Sequence, residues 1–363
     1  MTELGRGNLR FWQGVSKTSD YLISALVSCV LVVVLFGDRL LKVDAPWGSG
    51  DMSNYYNLVR SWSGWGFAFS DQMAFPLGSD PNLYAGEAVI PYALGSLVYQ
   101  VAGSPFVGLN IVLLLSFPLV SVLAMACLRV VGLTGPFAVV LSVSFAFIPF
   151  HIYRGFEHLH LALLFGATAG MLVVLYLASG LWQRWTEFSS DGFRVRRLIG
   201  VGVLLLVSSW TTLYFAVYTI ILLIAAVMWR WAQGDGKSAL LKAMSLPVFA
   251  AGATALSLIP TYLARQRVVG GDLVGARDHL DSVTFAGNLF VAASPAPNVA
   301  DFSLYNQLAL AIVETWPSKV ESLWLSNYGT WISSACLVVY LVGLAWASRQ
   351  GRLQQPSAFA GAA

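Results

Sequence analysis

The chain has 363 residues, of which 57% are hydrophobic and only 11% charged, with a formal net charge of +3. A soluble domain carries about 25% charged residues, so this composition excludes a water-soluble fold of this length, and the long apolar blocks point to lipid-spanning helices instead. The charge balance has no nucleic-acid footprint, and no P-loop, dinucleotide fingerprint, GxSxG elbow or HExxH motif is present.

In chain order, a polar lead of 20 residues precedes an apolar run from Tyr21 to Phe36. No small-x-small cleavage site follows directly, so the run reads as a retained first helix rather than a cleaved signal. Further apolar blocks lie at about 86–103, 105–127, 135–150, 157–182, 198–212, 213–231, 244–264 and 329–348. If all nine cross, parity places the Arg-rich loop 183–197 on the same side as the acidic loop 38–85, against the positive-inside rule. The weakest block is 86–103, which carries Glu87, Pro91 and Gln100. Read as an interfacial amphipathic helix on the outer face, it leaves eight spans. Thirteen of the 21 Lys and Arg residues then face the cytoplasm, together with both termini. The pair 198–212 and 213–231 needs a tight outer turn over Ser208 to Thr212. The expected fold is therefore all-α: a polytopic transmembrane bundle of about eight spans with outer-face interfacial helices. It is one transmembrane domain over 1–348, with outer loops 38–104 and 265–328 and a short cytoplasmic tail over 349–363. No internal repeat is visible. Cys29, Cys127 and Cys336 are widely spaced in apolar blocks and read as small hydrophobes, neither a disulfide framework nor a metal site.

The chemistry-bearing residues gather on the outer side. The first loop reads VDAPWGSGDMSNYYNLVRSW from Val43. Asp44 and Asp51 flank its turn, and a helix is expected from Met52 to Trp65, with Asp51 or Ser53 as its N-cap. Asp51 is either that cap or a carboxylate serving as a general base at the membrane surface, and one role does not exclude the other. The segment FIPFHIYRGFEHLHL from Phe147 brings His151, Arg154, Glu157, His158 and His160 within ten residues. Polar groups at the edge of hydrocarbon are costly unless paired, so they mark function or snorkel to the interface. His158-x-His160 is poor metal-ligand spacing on a helix, and Arg154 suits a phosphate. Trp210, Tyr214 and Tyr218 form either an aromatic belt or a sugar-stacking surface. Arg265 and Arg267, just past a span, either anchor the interface or meet an anionic head group.

Asp51 in GDMSNYYN, the FPLGSD stretch at 75–80, Arg154-Gly155-Phe156-Glu157-His158 and the Ser208-Ser209…Tyr214 pattern together resemble the GT-C superfamily of membrane glycosyltransferases, in particular its bacterial polytopic members. The likeness covers roughly residues 20–345. It implies an integral protein of the bacterial inner or plasma membrane that transfers a sugar from a polyprenyl-phosphate donor to an extracytoplasmic acceptor. By the same likeness Asp51 is the catalytic base, while Asp44, Arg154, Glu157, His158, Tyr214, Arg265 and Arg267 bind substrate. Membrane lipids are the other partners. No Asp-x-Asp stands around Asp51, so a metal-bound sugar diphosphate is not implied; no metal ligand set is assigned, and assistance by a divalent cation stays open. The chain is shorter than many such enzymes. The alternatives are a transporter or flippase of lipid-linked glycans, which calls for polar residues at mid-span, and a non-catalytic membrane homologue.

Overall fold

The structure is a computed structural model, and it describes residues 3–47, 55–60, 89–156, 158–182 and 191–267. Among these the chain is helical, without strands. The helices are α1 (Glu3–Leu40), α2 (Val89–Ala102), α3 (Pro105–Val130), α4 (Gly135–Ala146), α5 (Pro149–Arg154), α6 (Leu159–Ala162), α7 (Phe165–Ala178), α8 (Asp191–Thr211), α9 (Leu213–Ala232) and α10 (Lys237–Arg267). Among the described residues five stretches are long and apolar enough to cross a membrane: Thr18–Leu40, Pro105–Val130, Leu159–Ala178, Leu213–Ala232 and Lys237–Leu263. Helices are the natural form for such segments, because hydrocarbon offers backbone groups no other hydrogen-bond partner.

The chain divides into two compact units, Met1–Phe147 with Arg154–Leu273, and Ile148–Tyr153 with Val274–Ala363. Of the second, only 148–153 is described; there the Ile148 carbonyl accepts from the His151 and Ile152 amides. The first unit holds the bundle. In it α3 packs against α1, α2, α4 and α7, while α8 and α9 pack on α7 and α8, α9 and α10 pack on one another.

The core of the second half joins Val173 and Leu177 of α7, Leu205 of α8, Leu223 and Val227 of α9, and Leu246 and Ala250 of α10. Lipid is as apolar as these side chains, so close backbone approach and interhelical hydrogen bonds must supply specificity. Both are present. Gly166 and Gly170 of α7 face Thr211, Ser208 and Thr219, and a Cβ at Gly166 would stand 2.6 Å from the Thr211 Cβ. The Ser208 and Thr219 hydroxyls pair at 2.8 Å, and the Trp210 indole donates to the Ala253 carbonyl at 2.8 Å. In the first half, Ser24 of α1 bonds Ser121 of α3 and Ser142 of α4.

Polar contacts sort the helix ends of this unit into two groups. Asp20 of α1 accepts from Arg129 at the end of α3, at 2.8 Å, and from the Gly135 amide that opens α4. Tyr176, near the end of α7, is within electrostatic reach of Tyr21 and Arg197. Gly180 abuts the Arg230 guanidinium, which forms a two-pronged pair with Asp235 at 2.6 and 2.9 Å. These define the Asp20 end. The other ends of the same helices lead to Trp47, Asn110, Phe147 and His160, the Trp47 end.

Several local features depart from simple apolar blocks. The 86–103 block forms α2, only 14 residues long, and it turns back onto α3 through Gly103, whose φ of 71° is a left-handed value that glycine adopts without strain. The two helices touch where Gly108 meets the Gly95 backbone. The 135–150 block yields a helix of 12 residues, about 18 Å against a hydrocarbon core of about 30 Å. The 157–182 block is not one helix: it breaks at Leu163–Leu164. Between α8 and α9 the turn is the single extended residue Thr212. The block at 329–348, the expected eighth span, lies outside the described residues. Cys29 sits on the bundle surface and Cys127 is partly covered.

Candidate functional site

Where α1 ends, the chain is pinned by a buried polar network. Arg39 donates to the Trp47 carbonyl at 3.0 Å, and the Trp47 indole donates to the Lys42 carbonyl at 2.9 Å. The Trp47 amide donates to the Tyr56 hydroxyl at 3.2 Å, which donates to Asn110 Oδ1 at 3.3 Å. Asn110 Nδ2 completes the circuit, donating to the Val43 and Ala45 carbonyls at 2.8 and 2.9 Å. Asn110 is only 1% exposed. A buried carboxamide must find partners for both its donors and its acceptor, and this one does so by holding the 43–47 loop against the start of α3. Burial pushes the Tyr56 phenol above its ordinary pKa, and the hydrogen bond from Trp47 pulls it back in part. The phenol is therefore a neutral donor at physiological pH.

Aromatic rings brace this loop from below. Phe36 stacks parallel to Trp47 with centroids 6.5 Å apart, and tilts onto Phe117 and Phe156. The Arg39 guanidinium lies 4.0 Å from the Phe156 ring centroid, a cation–π contact. Phe156 belongs to the RGFEH stretch, so the first loop and the 154–160 segment share this end of the unit.

A second junction joins them. Tyr55 and the Nδ1 of His160 are 2.6 Å apart, their rings meet edge to face, and Tyr55 also packs on Tyr92 of α2. The His158 and His160 rings lie 6.4 Å apart, edge to face. Arg154 reaches Nδ1 of His158 at 3.0 Å. A guanidinium can only donate, so Nδ1 accepts, and the imidazole carries its proton on Nε2. One phenol, two imidazoles and one guanidinium thus gather beside one another at the edge of the apolar bundle. Their N–H and O–H groups are those that phosphate oxygens and sugar hydroxyls accept from.

No family model, curated protein or solved structure matches this chain.

Of the residues singled out in the sequence, Arg154 and His158 are brought into direct contact. Asp44 is exposed on the pinned loop. Tyr214 stands 44% exposed in the first turn of α9, while its neighbours Ser208, Ser209 and Trp210 are spent on helix packing. Arg265 and Arg267 lie in the last turn of α10, with side chains outside the described residues, as are Asp51 and Glu157. Among the described residues no group of three His, Cys, Asp or Glu could hold a metal ion. Sequence reasoning did not pick out Arg39, Trp47, Tyr55, Tyr56 or Asn110, and gave Phe156 no role of its own within the RGFEH stretch. For Asn110 a signal existed: it is the lone carboxamide in the 105–127 apolar block, and a polar group there implies a partner.

Proposed function

We propose that this chain is a polytopic membrane glycosyltransferase of the GT-C kind, taking a sugar from a polyprenyl-phosphate donor at the Trp47 end of the bundle. The observation that carries the reading is the meeting of Tyr55, Arg154, His158 and His160 across two segments distant in sequence. In this reading eight helices cross and both termini are cytoplasmic. The cluster of Arg129, Arg197 and Arg230 around the Asp20 end supports that orientation through the positive-inside rule, and in this reading the Trp47 end faces the extracytoplasmic side of the plasma membrane.

The chemistry follows from the residue types. Asp51 takes the proton of an acceptor hydroxyl as its oxygen attacks the anomeric carbon. The new glycosidic C–O bond forms while the bond from that carbon to the phosphate oxygen breaks, and the polyprenyl phosphate leaves with the electron pair. Arg154, with the Nε2–H of His158, stabilises the charge that develops on the phosphate. Arg265 and Arg267, on the helix that runs to the same end, and Tyr214 complete the substrate contacts, with Asp44 and Glu157 as acceptor-side carboxylates.

The test compares the lipid-linked and envelope glycans of a host with and without the gene, and with an Asp51→Asn variant. Loss of one glycan species in both altered strains, with D51N still accumulating in the membrane, is expected. Asparagine caps a helix as well as aspartate, so unchanged glycans in D51N would reduce Asp51 to a cap and overturn the mechanism.

A further inference from the structure

A cavity of about 620 Å³ opens beside the network just described, lined by Pro46, Tyr56, Asn57, Arg60, Tyr99 and Phe106, with Gly103 and Pro105 at the α2–α3 turn. Its volume lies in the range of small-molecule sites, about 300–1,000 Å³. It is distinct from the Tyr55–His160 junction because the helical segment 55–60 has two working faces. Tyr55 and Val59, one turn apart, lie against α2: Tyr55 meets Tyr92, Val59 meets Gly95, and the Val59 carbonyl accepts from Ser96. Tyr56 and Arg60, also one turn apart, line the cavity.

The lining has a definite chemistry. Tyr56 and Phe106 meet edge to face at 4.6 Å and make an aromatic corner; Tyr99 adds a third ring. Such rings pack on the C–H faces of a pyranose and resist wetting. Asn57 offers both a donor and an acceptor for hydroxyls. Arg60 brings the one charge among these residues, and its planar fork matches a carboxylate or phosphate.

We infer that this cavity binds a saccharide carrying a carboxylate or phosphate group. Rings and amide hold the sugar and Arg60 holds the anion. That it is the acceptor's place rests on the transferase reading above; the binding itself does not.

The experiment uses the full chain in lipid nanodiscs and saturation-transfer NMR. The probes are methyl glucuronide, its neutral counterpart methyl glucoside, inorganic phosphate as competitor, and glucose on farnesyl phosphate as a lipid-borne competitor. Methyl glucuronide should bind about tenfold better than methyl glucoside, as one charge-assisted contact implies. Arg60→Gln should erase that preference while leaving methyl glucoside binding in place, and Tyr99→Ala should weaken both. Arg60 is exposed, so R60Q is expected to fold, and an unchanged melting temperature checks it. Displacement by farnesyl-phosphoglucose marks a lipid-borne source of the ligand; displacement by soluble glycosides alone marks a free one. Equal binding of the two glycosides, a preference that survives R60Q, or phosphate competing as well as the glucuronide would each overturn the inference. The deletion strain separates the two readings: if glycans are normal without the gene while the R60Q effect persists in the purified protein, the transferase reading falls and the saccharide site stands.

Discussion

Replacing Asn110 tests whether the 43–47 loop is held by its carboxamide or merely lies near it. Asn110→Leu keeps the size but removes both bonds to the Val43 and Ala45 carbonyls and the acceptor for Tyr56. A stranded polar group costs about 1–3 kcal/mol. The two carbonyls belong to half-buried residues flanking the exposed Asp44, which puts each at the lower end. Tyr56 still accepts from Trp47, and its own bond to Asn110 is long at 3.3 Å. The sum is about 2–4 kcal/mol. Asn110→Asp should cost more at neutral pH, because a carboxylate would then face two carbonyl oxygens in a site only 1% exposed. Protonation restores one donor, so acid should recover part of that loss. Tyr56→Phe strands the Trp47 amide and Asn110 Oδ1, but both bonds are long at 3.2 and 3.3 Å, so it should cost about 1–2 kcal/mol, less than N110L. Because N110L and Y56F share a bond, the double variant should cost less than their sum. Thermal melting of the purified protein in nanodiscs, at neutral and acid pH, gives the order. A Y56F variant as unstable as N110L, or an N110D variant as stable as the parent at neutral pH, would refute the reasoning.

Other expectations follow from the same contacts. Asp20→Asn leaves Arg129 without its counter-charge in a pair whose side chains are 13% and 14% exposed; a melting loss equivalent to about 1–3 kcal/mol is expected, below the roughly 3–5 of a fully buried pair, and D20N with Arg129→Gln should cost less than the two separately. Gly108→Ala drives a Cβ into the Gly95 backbone and should destabilise by about 1–3 kcal/mol. Gly200→Ala, with nothing within 4 Å of its Cβ, should be neutral or gain up to about 1 kcal/mol from helix propensity; similar melting of the two would contradict the helix packing described. Tyr56 has a raised pKa in the fold, so its contribution is complete below the ordinary value of about 10 and lost as pH rises through the higher folded value; a melting series between pH 9 and 12, read against Y56F, should show less alkaline loss in the variant. His160→Phe keeps the ring contact with Tyr55 but loses the hydrogen bond, and should reduce glycan transfer by more than a melting loss of about 1–2 kcal/mol accounts for; a fall in transfer no larger than the fall in folded protein would make the junction structural only.

What the sequence reveals and what it hides divide along physical lines. Long apolar runs are legible because lipid imposes one solution on the backbone, and α1, α3, α9 and α10 fall where hydropathy puts them. Hydropathy separates α2 from α3 at the Gly103 turn, but it merges α6 with α7, which Leu163–Leu164 interrupts by local geometry. The RGFEHLH motif stands out in sequence because charge beside hydrocarbon is rare. Its partners do not. Tyr55 is an ordinary aromatic until the fold sets it against His160, and Arg39 reads as an end-of-helix cation until Phe156 slides beneath it. The contacts that reach the 154–160 segment from α1 and the first loop thus run through rings, residues that composition counts as bland. The sequence-legible charges, Arg154 and His158 among them, are held in register by groups whose role exists only in three dimensions. That division has a physical cause. An ionic group at a membrane edge announces its cost wherever it lies along the chain, whereas a hydrogen bond or ring contact across more than a hundred residues acquires meaning only once helix packing has closed the distance.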